Sequence, residues 1–273
     1  MKKIIVKNKS KKLSKDDFKS KVNYIYTISS KMQKKIFTSP KIKIFIKDDI
    51  KCNGSVCKKH NHYEVLINSN IIIGYDIFLE SVIHHEFSHI FDIEHAKPSM
   101  KYCKVNSGYT PKLEKCILDI GFFFWTEYYA YLNTFDYYTS KSCTKLQLVN
   151  QFKKIISFSK KVDETKEYEE LISRIRYFVY NTSAYLAYLK INPKTVKYCQ
   201  NTTSRKEFNY VSQCLDKLSK KYNTMFHGLY GLRFKKRIYK IGEFIIDNFF
   251  VPFNIAPNKY KGKYVLSYMH KDN

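Results

Sequence analysis

The amino-acid sequence predicts an α+β protein: a small sheet, a buried helix after it, and a mainly helical remainder. Three patterns carry that expectation. Residues 41–47 and 62–68 largely alternate polar and apolar side chains, the period of a half-buried strand. Leu79, Ile83, Phe87 and Ile90 fall on one helical stripe, with Phe78, Val82, His85 and His89 on the adjacent one, as in a helix buried on two faces. Beyond residue 140, aromatic and aliphatic residues recur at helical spacing and no chemistry-bearing motif stands out.

Taken in order, the elements are these. Residues 1–22 are Lys-rich and are expected to be a mobile basic segment. The first strand covers 41–47, Cys52-Asn53-Gly54-Ser55 carries a turn signal, and the second strand covers 62–68. Asp76, two residues after Gly74, suits the N-cap of the buried helix. Thr110-Pro111 opens the next helix, since Pro at the first turn lacks only an N–H that would have no partner there. Gly121 argues against that helix by about 1 kcal/mol relative to Ala. Further helices are expected over 163–190, stopped by Asn192-Pro193, and from a capping box at Ser204 towards Lys221. A last one spans 234–249, ahead of Pro252. The implied organisation is a basic N-terminus (1–22), a first domain (23–140) and a helical C-terminal region (141–273).

Composition narrows the class. A chain of 273 residues with 44% hydrophobic content can bury a core and is not disordered. Its longest apolar runs, such as 244–251, are broken by charge and too short for a bilayer, so no membrane partner is expected. No apolar segment follows the basic first residues, and seven cysteines lack framework spacing; both fit a reducing cytoplasm. The net charge of +25 invites a nucleic-acid partner, but only five of the 49 basic residues are Arg, the side chain best suited to phosphate and base edges. The stretch 233–240, basic with interleaved aromatics, reads as a solvated helix face. Oligomeric state is left open.

The chemistry sits in His85-Glu86-Phe87-Ser88-His89. On a helix, residues four apart lie one turn above each other on one face, so both imidazoles can reach one metal ion. Glu86 emerges beside them, where it can act as a base on a water held by that ion. A catalytic zinc takes three protein ligands and leaves one position open. Glu127 is the favoured third ligand. It falls on the apolar seam Leu113, Ile117, Ile120, Phe124, Glu127, Tyr131, where a carboxylate is costly unless a cation or donor meets it. Ala130, close by, would let two helices approach. The rival is His95, which gives HExxHxxDxxH; it needs a sharp turn at Asp92, where a left-handed backbone favours Gly. If Glu127 is the ligand, Asp92 could instead accept a hydrogen bond from a ligand His.

His85-Glu86-x-x-His89 followed by Glu127-x-x-Ala130 resembles the gluzincin ligand set, and specifically the HExxH…ExxA metallopeptidases of the ImmA/IrrE type. The resemblance covers roughly residues 40–135, with Ser88 where that family often has Gly. It implies a zincin-like catalytic domain, a Zn2+ cofactor held by His85, His89 and Glu127, and Glu86 as base. The expected function is zinc-dependent endopeptidase action on a protein or peptide substrate. Tyr128, Tyr131, His84 and His95 are all available to stabilise the oxyanion. The alternative is a basic zincin-like chain that binds nucleic acid or a protein partner without catalysis.

Overall fold

The computed structural model describes residues 4–36, 38–50, 52–74, 76–102, 110–134, 145–159, 165–191, 206–222, 233–260 and 263–268. The protein is α+β and the described residues are mostly helical. It divides into two compact units, one of Met1–Lys97 with Tyr129–Ser140 and one of Pro98–Tyr128 with Lys141–Asn273.

The first unit is built on a four-stranded mixed sheet. Strands β1 (Ile4–Asn8), β2 (Ile42–Lys47) and β4 (Tyr63–Asn68) run parallel, while β3 (Gly54–Lys58) is an antiparallel edge on β4, giving the order β1-β2-β4-β3. Alternation explains which face is buried: Ile42, Ile44 and Ile46 of β2 pair with Tyr63, Val65 and Ile67 of β4, and all six are at most 1% exposed. Onto them pack α1 (Lys15–Lys34) through Ile25 and Ile28, and α3 (Asp76–Tyr102) through Leu79, Val82, Ile83, Phe87 and Ile90. The short α2 (Ser69–Ile73) links β4 towards α3.

Within the segment 1–22, expected to be mobile from its composition, residues 4–22 are ordered into regular structure over most of their length. They supply β1 and the start of α1: Ile4 is 3% exposed, and Ser14 caps α1 by accepting from the Asp17 backbone N–H at 3.0 Å. The lysines report only on the solvent face, whereas the backbone follows Ile4, Val6 and the Ser14-x-x-Asp17 capping pair. Gly54 and Ser55 likewise belong to β3 and not to a turn. Asp76 is the first residue of α3, where its carboxylate pairs with Lys21.

In the second unit, α4 (Pro111–Leu132) begins where the proline signals it. It is followed by α5 (Lys145–Ser159), α6 (Thr165–Ile191), α7 (Lys206–Tyr222) and α8 (Phe234–Ile245). A π-helical turn (Ile246–Phe250) and a 3-10 turn (Val251–Phe253) lead into the hairpin β5 (Ile255–Tyr260) and β6 (Lys263–Tyr268), which the sequence patterns did not indicate. Phe152, Phe178 and Phe249 meet edge-on or tilted, with ring centroids 5.5–6.4 Å apart. Residues 98–128, expected in the first domain, join this unit because α4 crosses α8 with backbones nearly touching. A Cβ added at Gly121 would collide with the Ile238 carbonyl oxygen, and one at Gly242 with that of Ile117. The same crossing sets Trp125 edge-on against Phe234 at 4.9 Å. The helix cost of Gly121 is thus offset by close packing. The expected stops and caps at 192–193 and 204–205 lie outside the described residues.

Candidate metal centre

Helix α3 supplies the first two groups. It stays helical through the motif, so His85 and His89 stack one turn apart, with ring centroids 4.8 Å apart at 85° and Nε2 atoms 3.2 Å apart. Helix α4 supplies the third. The division between the two units falls inside this continuous helix, and Glu127 stands two residues before Tyr129, where the chain enters the first unit. One ligand atom from each of His85, His89 and Glu127 lies within 4.8 Å of the others, so this group could hold a metal ion. Two imidazoles and a carboxylate form a donor set of intermediate softness that suits a transition-series dication such as Zn2+; calcium and magnesium take oxygen ligands.

Glu86, the residue after His85 on α3, is 5% exposed. Edge strand β3 covers it. A Cβ at Gly54 would stand 2.7 Å from Glu86 Oε1 and 2.8 Å from Val82 Cγ1, so the strand comes this near only because residue 54 has no side chain. Cys52, just ahead of β3, feels the same carboxylate: burial, and then the Glu86 charge, push its thiol up. Neither neighbour has a signal in the sequence, because β3 is not evident there.

His95 does not complete the triangle. Helix α3 continues through Asp92 to Tyr102, so the chain never makes the turn that would bring His95 back. Its ring lies on Phe91 at 3.9 Å, with Nδ1 3.1 Å from the Phe91 carbonyl oxygen. Asp92 is fully buried, three residues after His89.

Two further contacts fix the surroundings. The Ser88 hydroxyl donates to the His84 carbonyl at 2.9 Å and accepts from the Asn133 amide at 3.3 Å, which ties the residue just past α4 to the motif helix. Farther along α3, the Glu94 carboxylate takes bonds from Lys58 of β3, Tyr63 of β4 and Thr38, the last at 2.9 Å. Burial alone would raise the Glu94 carboxyl, but these donors hold it down at about 2. That clamp locks the far end of β3 to α3 and so helps keep Gly54 over Glu86.

No helix among the described residues is long and apolar enough to cross a membrane. No protein-family profile, curated protein or solved structure matches the chain.

Proposed function

We propose that this chain is a zinc-dependent endopeptidase of gluzincin type, with residues 23–140 as its zincin-like domain. The observation that carries the reading is the convergence of His85, His89 and Glu127, with Glu86, next to His85 in the motif, buried. A zinc ion bound there would polarise the scissile carbonyl and bring the pKa of a water to about 7. Glu86 takes the proton from water as its oxygen bonds to the carbonyl carbon, then gives that proton to the amide nitrogen as the C–N bond breaks. The substrate is a protein or peptide segment in extended form. Among the described residues, strand β3 has β4 on one side only in the sheet order, so its other edge offers main-chain groups to such a segment near Glu86. A cytoplasmic location agrees with the unpatterned cysteines.

Metal analysis of the purified chain, followed by mass-spectrometric mapping of cuts in a proteome-derived peptide mixture, tests the reading. The expected result is one zinc per chain, lost in His85→Ala, with peptide cleavage abolished in Glu86→Gln while zinc and fold persist. The amide of Gln keeps the shape but cannot accept the proton. A folded wild-type chain that takes up no zinc removes the proposal. Cleavage by Glu86→Gln near the wild-type rate removes Glu86 as the base.

A further inference from the structure

We propose that a cavity in the second unit binds a free α-amino acid with an apolar side chain, held at its two charged ends by Asp119 and Arg176. The cavity measures about 230 Å³ and opens between α4, α6 and β6. Its wall is hydrocarbon: Ile120 and Phe123 come from α4, Ile175 and Val179 from α6, and Leu266 from β6. Sites for drug-sized ligands hold roughly 300–1,000 Å³ and set a few polar groups on an apolar wall. This cavity has that character at a smaller size, which suits a ligand no larger than one amino acid. None of His85, Glu86, His89 and Glu127 lines it, and every residue that does belongs to the second unit.

The two charged residues on the lining define the ligand's ends. Asp119 leaves α4 and Arg176 leaves α6, both are exposed, and among the described residues no side-chain hydrogen bond or ion pair closes on either. They still feel each other's charge. Burial pushes the Asp119 carboxyl up from its usual range, against the pull of Lys115, one turn earlier on α4, and of Arg176. Cys116, on the same lining, feels both charges: burial raises its thiol to about 11, with Asp119 adding to the rise and Arg176 opposing it. Glu94 is the contrasting case, a carboxylate closed on three donors and held at about 2. On α6 itself, Arg174 closes on Glu170 at 2.5 Å and lies over the Phe158 ring. Asp119 and Arg176 are thus an acid and a base left apart on one apolar cavity. A ligand with only a carboxylate would meet Asp119, and one with only an ammonium would meet Arg176. An α-amino acid carries both groups on one carbon, so its ammonium bonds Asp119, its carboxylate bonds Arg176, and its side chain enters the hydrocarbon.

The test is titration of the full chain with L-leucine, followed by saturation-transfer NMR. Leucine should bind. N-acetyl-leucine, which lacks the ammonium, and leucinamide, which lacks the carboxylate, should each bind about 5- to 10-fold more weakly, between the worth of an exposed ion pair and that of a charged hydrogen bond. Asp119→Asn should abolish the preference for leucine over N-acetyl-leucine, and Arg176→Gln the preference over leucinamide. Both side chains are exposed, so the far-UV circular dichroism of the variants should match the wild type. A wild-type chain that does not bind leucine would overturn the proposal. So would equal affinity for isopentyl alcohol, which keeps the side chain and lacks both charges, or a wild-type order of affinities in the two variants. Zinc uptake and peptide cleavage, which decide the peptidase reading, do not enter any of these outcomes.

Discussion

Replacing Gly54 by Ala tests whether β3 is fitted to Glu86 by the missing side chain. No left-handed backbone is involved at this position, so the cost is steric alone. The new Cβ would lie 2.7 Å from Glu86 Oε1 and 2.8 Å from Val82 Cγ1, against an ordinary contact of 3.4–4 Å. To reach 3.4 Å, about 0.7 Å must be recovered on the Glu86 side and about 0.6 Å on the Val82 side. Val82 is 3% exposed and β-branched on a helix, so its rotamer has little freedom. The end of the Glu86 side chain is the softer partner. The strand therefore lifts, the carboxylate swings away, or both. Overpacking of this kind costs about 1–3 kcal/mol. Urea unfolding followed by far-UV circular dichroism should show that loss. On the proposed reading, zinc content should persist, since the candidate ligands are on α3 and α4, while peptide turnover falls because the proposed base, Glu86, is displaced. Ser55→Ala, on the opposite face of β3, should change neither quantity. Gly54→Ala with wild-type stability and turnover would refute the fit.

Three other outcomes follow from the same geometry. Glu127→Ala should lower zinc affinity by at least about 100-fold in chelator competition, because losing even a supporting partner of a metal ligand costs about 10- to 100-fold. His95→Ala should leave that affinity within about threefold, and the reverse pattern would reinstate His95 as the ligand. Glu94 is held from an ordinary 4.5 down to about 2, so its stabilisation is complete above 4.5 and fades as pH falls towards 2. The full shift corresponds to about 3 kcal/mol, and partial exposure of Lys58 reduces it to about 2 kcal/mol. Urea melts of Glu94→Gln should show that deficit at pH 7 and convergence with the wild type as pH drops through this window; curves that stay parallel would count against the clamp.

What the sequence made legible is what periodicity encodes. Strands β2 and β4 and helices α3 and α4 were readable because their buried faces repeat every two or every three to four residues. Glu127 was readable for a related reason: a carboxylate on an apolar seam demands a partner, and His85 and His89 supplied the only motif nearby that could share one. Strand β1 stayed hidden because lysines crowd the positions around Ile4 and Val6. Strand β3 was hidden by Gly54 and Ser55, residues that favour turns, and β5 by Pro257.

Gly54 shows why such signals mislead. In sequence, a glycine reports only conformational freedom; in the structure it reports that something else occupies the space of a side chain. Gly121 is the same case at the crossing of α4 and α8, where helix propensity counted against an element that tertiary packing requires. The Ser88–Asn133 bond was illegible for a different reason: it ties the residue just past α4 to the motif helix and joins residues 45 positions apart. A contact of that range leaves no periodic trace, so the way the end of α4 is pinned to α3 had to come from the fold, whereas the candidate ligands His85, His89 and Glu127 came from spacing along two helices.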